Sequence, residues 1–154
     1  MAAYYLDTSA LSKLYVRETG SRWMKDLSDP AQGNEFYTVR IAGPELVAAI
    51  MRKLRTGELT RPIARHLLAS LRRDWKRRYQ IVGVTVAVTE RAMTLAEKHP
   101  LRGYDAVHVA AALELMAFQH TLPSARITFV SADSNQVSVA AAEGMNIEDP
   151  NRYP

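Results

Sequence analysis

The chain has 154 residues, is 47% apolar and 23% charged, and carries a formal charge of +4. That supports one domain with a real core but not two; no apolar run nears the ~18 residues of a membrane span, and the N-terminus lacks the basic and apolar regions of a signal peptide. Cysteine is absent and the four histidines have no zinc-pair spacing, which excludes disulfides and thiolate metal sites, leaves oxygen ligands suited to a hard cation, and fits a cytoplasmic protein.

Residues 3–6 read as a short buried strand, and Thr8-Ser9 start a helix running to about Arg17 with Leu11, Leu14 and Tyr15 on one side. Gly20-Ser21 is a break, with Ser21 able to cap a short helix through Leu27. Asp29-Pro30 to Asn34 is a loop, and Phe36 to Val39 is rich in strand formers. Pro44 suits the first turn of a helix that ends near Arg55, before Thr56-Gly57. Thr60 and Pro62 start another, striped by Ile63, Leu67, Leu68, Leu71 and Trp75.

A strand over 79–84 precedes a helix from about Val88 to His99, stopped by Pro100. Gly103 precedes a long Ala-rich helix from Asp105 to about Gln119. Residues 126–130 read as a strand, and Asn135 to Glu143 as a helix closed by Gly144. Met145 to Ile147 is an edge strand, and the chain after Asp149-Pro150 is a loose tail. The organisation is one domain over 1–150 and a short tail over 151–154. Short apolar strands alternating with helices make this an α/β chain whose parallel sheet is covered on both faces.

Four acidic residues stand at the edges of core segments, where a carboxylate is costly unless compensated. Asp7 ends the first strand, Asp133 follows the strand at 126–130, and Glu45 and Asp105 open helices. In parallel sheets ligands bind beyond the carboxyl ends of the strands. First helical turns there favour negative charge. Both rules put the four acids on one edge, where mutual repulsion would call for a divalent cation, Mg²⁺ or Mn²⁺, between them. Such an ion can activate water and stabilise a phosphoryl transition state. Each acid alone also reads as a helix cap or first-turn charge. His108 reads as a packing or hydrogen-bonding residue rather than a general base.

Other chemistries fit less well. G-x-x-x-x-G-K-[ST] and G-x-G-x-x-G are both missing, which weakens ATPase and dinucleotide readings. An aspartyl-nucleophile phosphatase would want an acid two residues after Asp7, where Ser9 stands. A receiver domain would want an acidic pair that is not evident. A non-catalytic RNA-binding or regulatory module with the same fold stays open as the alternative.

Leu6-Asp7-Thr8-Ser9-Ala10-Leu11, Pro44-Glu45-Leu46-Val47-Ala48-Ala49-Ile50, Leu101 through Ala112 with Asp105 at its centre, and Phe129-Val130-Ser131-Ala132-Asp133 follow one another in order. Together they resemble the PIN-domain ribonucleases, above all the toxins of type II toxin–antitoxin pairs. The resemblance spans residues 3–150. It implies a three-layer α/β/α sandwich around a parallel sheet of four or five strands. It implies Asp7, Asp105 and Asp133 as metal ligands, Glu45 completing the acidic site, and Ser9 and Ser131 as accessory hydroxyls. It also implies RNA as substrate, an antitoxin protein as partner, and a homodimer.

Two further features bear on partners. Arg72, Arg73, Lys76, Arg77 and Arg78 form a dense basic cluster. It reads either as an anchor for an RNA backbone or an acidic antitoxin segment, or as a solvated helix end. Tyr15, Trp23, Ile63, Leu67 and Trp75 are apolar residues available to core or dimer interface.

Overall fold

The computed structural model describes residues 1–119 and 126–154. In chain order its elements are β1 (Ala3–Leu6), α1 (Thr8–Ser12), α2 (Ser21–Leu27), β2 (Glu35–Val39), α3 (Ala42–Arg55), α4 (Arg61–Arg77), β3 (Tyr79–Val82), α5 (Val86–Lys98), α6 (Gly103–Gln119), β4 (Ile127–Val130), α7 (Ser134–Ala142) and β5 (Asn146–Glu148). All strand pairs are parallel, in the order β3-β2-β1-β4-β5. The chain builds outward from β1 in one direction, then returns to add β4 and β5 on its other side. The switch point therefore lies between β1 and β4, where α/β sheets bind ligands.

Side-chain alternation along the strands makes the three layers. Tyr5, Val39, Ile127 and Phe129 face one side, against α5, α6 and α7. Leu6, Phe36, Tyr79 and Val130 face the other, against α1 to α4. The Ala-rich stretch of α6 lets that helix lie close to the sheet, and Ala106, Ala110, Ala111 and Ala112 are all buried. The lack of a polar stripe along its middle accords with that burial.

Helix boundaries match expectation within a few residues except at α1, which ends at Ser12 rather than near Arg17. Past Ser12 the backbone tightens into i→i−3 turns, with Lys13, Leu14 and Tyr15 donating to the Ala10, Leu11 and Ser12 carbonyls. Lys13 is buried there, and its Nζ donates to the Thr19 carbonyl at 2.8 Å and to Asn151 Oδ1 at 3.0 Å. The expected loop at 29–34 contains a 3-10 turn, Pro30–Gln32. Ser21 is not the cap of α2; Gly20 is, and the Ser21 hydroxyl instead accepts from the Glu18 N–H and donates to the Val16 carbonyl.

The loose tail is also corrected. Pro150–Arg152 form a 3-10 turn, and Tyr153 stacks on Trp23 with ring centroids 4.7 Å apart. Gly20 makes room for this docking. Its φ is +83°, and a Cβ there would lie 2.3 Å from the Pro150 carbonyl oxygen, a backbone atom that cannot step aside. Gly20→Ala is expected to lower stability by roughly 1–3 kcal/mol, the usual magnitude for forced backbone strain. A urea midpoint measures this, and Trp23 fluorescence reports whether Tyr153 undocks.

Most of the residues considered for a dimer interface are used inside the chain. Tyr15 bonds the Tyr79 hydroxyl at 2.6 Å and donates to Asp74; Trp75 meets Tyr79 edge-on; Leu67 packs on the core. Only Ile63 of that set is largely exposed. Among the described residues no helix is long and apolar enough to cross a membrane.

Candidate active site

Asp7, Glu45, Asp105 and Asp133 line one cleft of about 490 Å³ at the carboxyl edge of the sheet. Asp7 follows β1 directly, and its N–H bonds the Val130 carbonyl of β4. It is 1% exposed. One carboxylate oxygen accepts the Ala10 N–H at 2.8 Å, so Asp7 caps α1 as well. Ser9 Oγ lies 2.8 Å from both oxygens of that carboxylate, and Ser131 donates at 2.7 Å. Each serine also accepts a backbone N–H from the turn after β4: Ser9 from Ala132 and Ser131 from Asp133. The two hydroxyls thus tie the ends of β1 and β4 together through Asp7.

Glu45 stands in the first turn of α3. Its carboxylate accepts from the Thr8 hydroxyl and lies 3.0 Å from His108 Nε2. His108 is buried, with its other ring nitrogen 3.1 Å from the Tyr5 hydroxyl. This bears out the hydrogen-bonding reading of His108 and extends it: the ring connects the core to Glu45. Asp105, in the first turn of α6, accepts from Gln136 Nε2 at 3.1 Å. Asp133 caps α7 through the N–H groups of Asn135 and Gln136. The cap readings of Asp7 and Asp133 are therefore correct alongside their place in the cleft.

The electrostatics favour a cation. Burial pushes the Asp7 carboxyl above its ordinary value, against the hydrogen bonds and the His108 ring that favour its charged form. Asp105 is also raised, first by burial and then by the negative charge of Asp133, with Asp7 adding to it. For Glu45, burial pulls upward, but the hydrogen bonds from His108 and Thr8 outweigh it and hold the carboxyl below its ordinary value. The donor atoms are all hard oxygens, which fits a divalent ion of the Mg²⁺ type. As placed, no three His, Asp or Glu side chains among the described residues form a closed chelating group. The acids share a cleft but are held by their local partners.

Sequence reasoning passed over several lining residues. Arg52 lies seven residues after Glu45, two turns along the same face of α3, a spacing that could have singled it out. Arg102 and Gln136 also line the cleft, from the segment before α6 and from α7. Nothing in the local sequence signals Gln136, whose partner is 31 residues away.

The PIN domain family model matches residues 4–142. Ribonuclease VapC45 of Mycobacterium tuberculosis strain CDC 1551 is 38% identical over 116 residues, covering 73% of this chain and 76% of that one. Ribonuclease VapC49 of strain H37Rv matches to the same extent. A toxin–antitoxin complex from Klebsiella pneumoniae superposes with a TM-score of 0.63 at 15% identity, over 97% of this chain and 98% of that one. VapBC2 from Rickettsia felis, solved with a promoter DNA fragment, gives 0.61 at 14% identity, over 96% and 98%. These last two share the fold. The family match reaches four of the five strands and every acid in the cleft, and the chain belongs to the PIN domain family.

Proposed function

We propose that this chain is a divalent-metal-dependent endoribonuclease, the toxin of a type II toxin–antitoxin pair acting in the cytoplasm, with Mg²⁺ or Mn²⁺ as its ion. One observation carries the chemistry: four acids line a single cleft at the sheet's switch point. The relatives named as ribonucleases support RNA as the substrate. An antitoxin protein is the partner implied by the resemblance to type II toxins. A homodimer is implied in the same way, and exposed Val86 and Met93 on α5 are apolar surface that self-association would cover. The functional domain is residues 1–150.

Asp7, Asp105 and Asp133 would hold the ion, directly or through water, and Glu45 would complete the site. Bound there, a divalent ion would supply the activation of a water and a counter-charge for the phosphate. Ser9 and Ser131 fix the Asp7 carboxylate, so both of its oxygens keep one orientation. Thr8 and His108 do the same for Glu45. Arg52 and Arg102 supply positive charge on the walls of the cleft, suited to the flanking phosphates.

Ser131→Ala removes a donor to Asp7 and strands the Asp133 N–H. Partners that orient metal ligands are worth about 10–100-fold, so a fall of that size in RNA cleavage is expected, with the fold retained. The function itself is tested by incubating the protein with RNA in Mg²⁺, in Mn²⁺ and in EDTA. Cleavage restricted to the metal-containing reactions is expected. Cleavage that persists undiminished in EDTA would contradict the proposal.

A further inference from the structure

A second cleft, of about 500 Å³, opens between the N-terminal half of α3 and the C-terminal half of α4. Val47, Leu71 and Trp75 give it an apolar lining, and Arg40, Arg72 and Lys76 also line it. Among the described residues no carboxylate lines this cleft, and none of those three cations makes an ion pair. The basic cluster of the sequence is thereby divided. Arg73 and Arg78 lie 3.4 and 4.0 Å from Asp74, whereas Arg72 and Lys76, one turn apart, line the cleft.

The indole is held in place by a close approach. A Cβ on Gly43 would lie 3.1 Å from the Trp75 ring, so this position lets the ring lie against α3. The cleft also neighbours the acidic one. Pro44 and Val47 line the first, while Glu45, Ala48 and Arg52 of the same helix line the second. A single helix, about 10 Å across, separates them.

Resting on the ribonuclease reading, we propose that the α3–α4 cleft is a single-stranded RNA subsite. It takes a nucleotide of the substrate strand beyond the scissile phosphate. Arg40, Arg72 and Lys76 hold its phosphates, and the base packs against Trp75 and the apolar wall. Unpaired cations interleaved with an aromatic surface are what a single strand requires: charge along the backbone and a ring for the base. Such interactions set affinity and salt dependence rather than sequence choice.

The test compares wild type, Arg72→Ala/Lys76→Ala, and the charge-matched control Arg61→Ala/Arg65→Ala at the other end of α4. RNA cleavage is followed over a range of salt concentrations. For the cleft pair, KM is expected to rise about tenfold. The salt slope of kcat/KM should flatten by about 1.4, or ~0.7 for each single-strand phosphate left without its cation. The control pair should move neither. An equal shift in both variants, or an unchanged KM in the first, overturns the proposal. An unchanged KM with abolished binding of poly-glutamate would give the cleft to an acidic protein segment instead.

A second readout does not depend on cleavage. Trp23 and Trp75 are the two tryptophans, so Trp23→Phe leaves Trp75 as the reporter. Decamers of oligoadenylate, without divalent ion, should quench it, and the quench should vanish on adding Arg72→Ala/Lys76→Ala. Quenching in a chain that cleaves no RNA would sink the ribonuclease reading and keep the subsite. Cleavage without quenching would do the reverse.

Discussion

Asp105→Asn is expected to lower RNA hydrolysis by about 10³-fold while leaving the fold intact. That factor corresponds to about 4 kcal/mol of transition-state stabilisation, the size of a metal ion's contribution to a phosphoryl centre. The fold survives because asparagine keeps an oxygen to accept from Gln136. Stability without metal should change with pH in a defined direction. Burial, then the charge of Asp133, raises the Asp105 pKa from its ordinary 3.8. A carboxyl raised in the folded state binds its proton more tightly there than in the unfolded chain. Its ionisation therefore destabilises the fold as pH climbs above 3.8. Urea unfolding in EDTA should find the variant more stable than wild type at pH 7.5 and the two alike near pH 3. Added Mg²⁺ should stabilise wild type more than the variant. A variant that is equally active, or less stable at neutral pH in EDTA, would contradict this account.

Phe129→Ala is expected to have the largest effect on stability, about 3–5 kcal/mol, out of a total of roughly 5–15 kcal/mol for a domain. Phe129 is fully buried on β4, in register with Tyr5 of β1, and the two rings stack with centroids 5.5 Å apart. Truncation opens a cavity between the central strands and the α5–α7 layer. The consequence reaches the cleft, because the Tyr5 hydroxyl holds His108 and His108 holds Glu45. Phe129→Leu should restore most of the stability, since it refills much of the volume. Denaturant midpoints decide the matter: a destabilisation under about 1 kcal/mol for the alanine variant would mean that the layer repacks around the gap.

The strands and most helices are legible in the sequence because their signals are local. Val39, Ile127 and Phe129 alternate with residues of the opposite face, Thr60 caps a helix, and Gly144 takes the left-handed conformation after α7. The acids are legible because a carboxylate at the end of an apolar run is conspicuous. The features that escape a sequence reading depend on partners distant along the chain. Lys13, just past the end of α1, is buried against Asn151, 138 residues on, and the docked C-terminal turn depends on Trp23 and Gly20. The division of the basic cluster depends on which cations lie beside Asp74 and which face α3. Periodicity places such residues on a helix face but does not say what that face meets.

Crystals soaked in Mn²⁺ and measured at the manganese absorption edge decide whether Asp7, Glu45, Asp105 and Asp133 form one divalent-ion site. An anomalous peak is expected in the acidic cleft, about 2.2 Å from oxygens of the aspartates or of waters that they hold, with no such peak in Asp7→Asn crystals. A protein that cleaves RNA in Mn²⁺ yet shows its peak elsewhere, or none in this cleft, would contradict it.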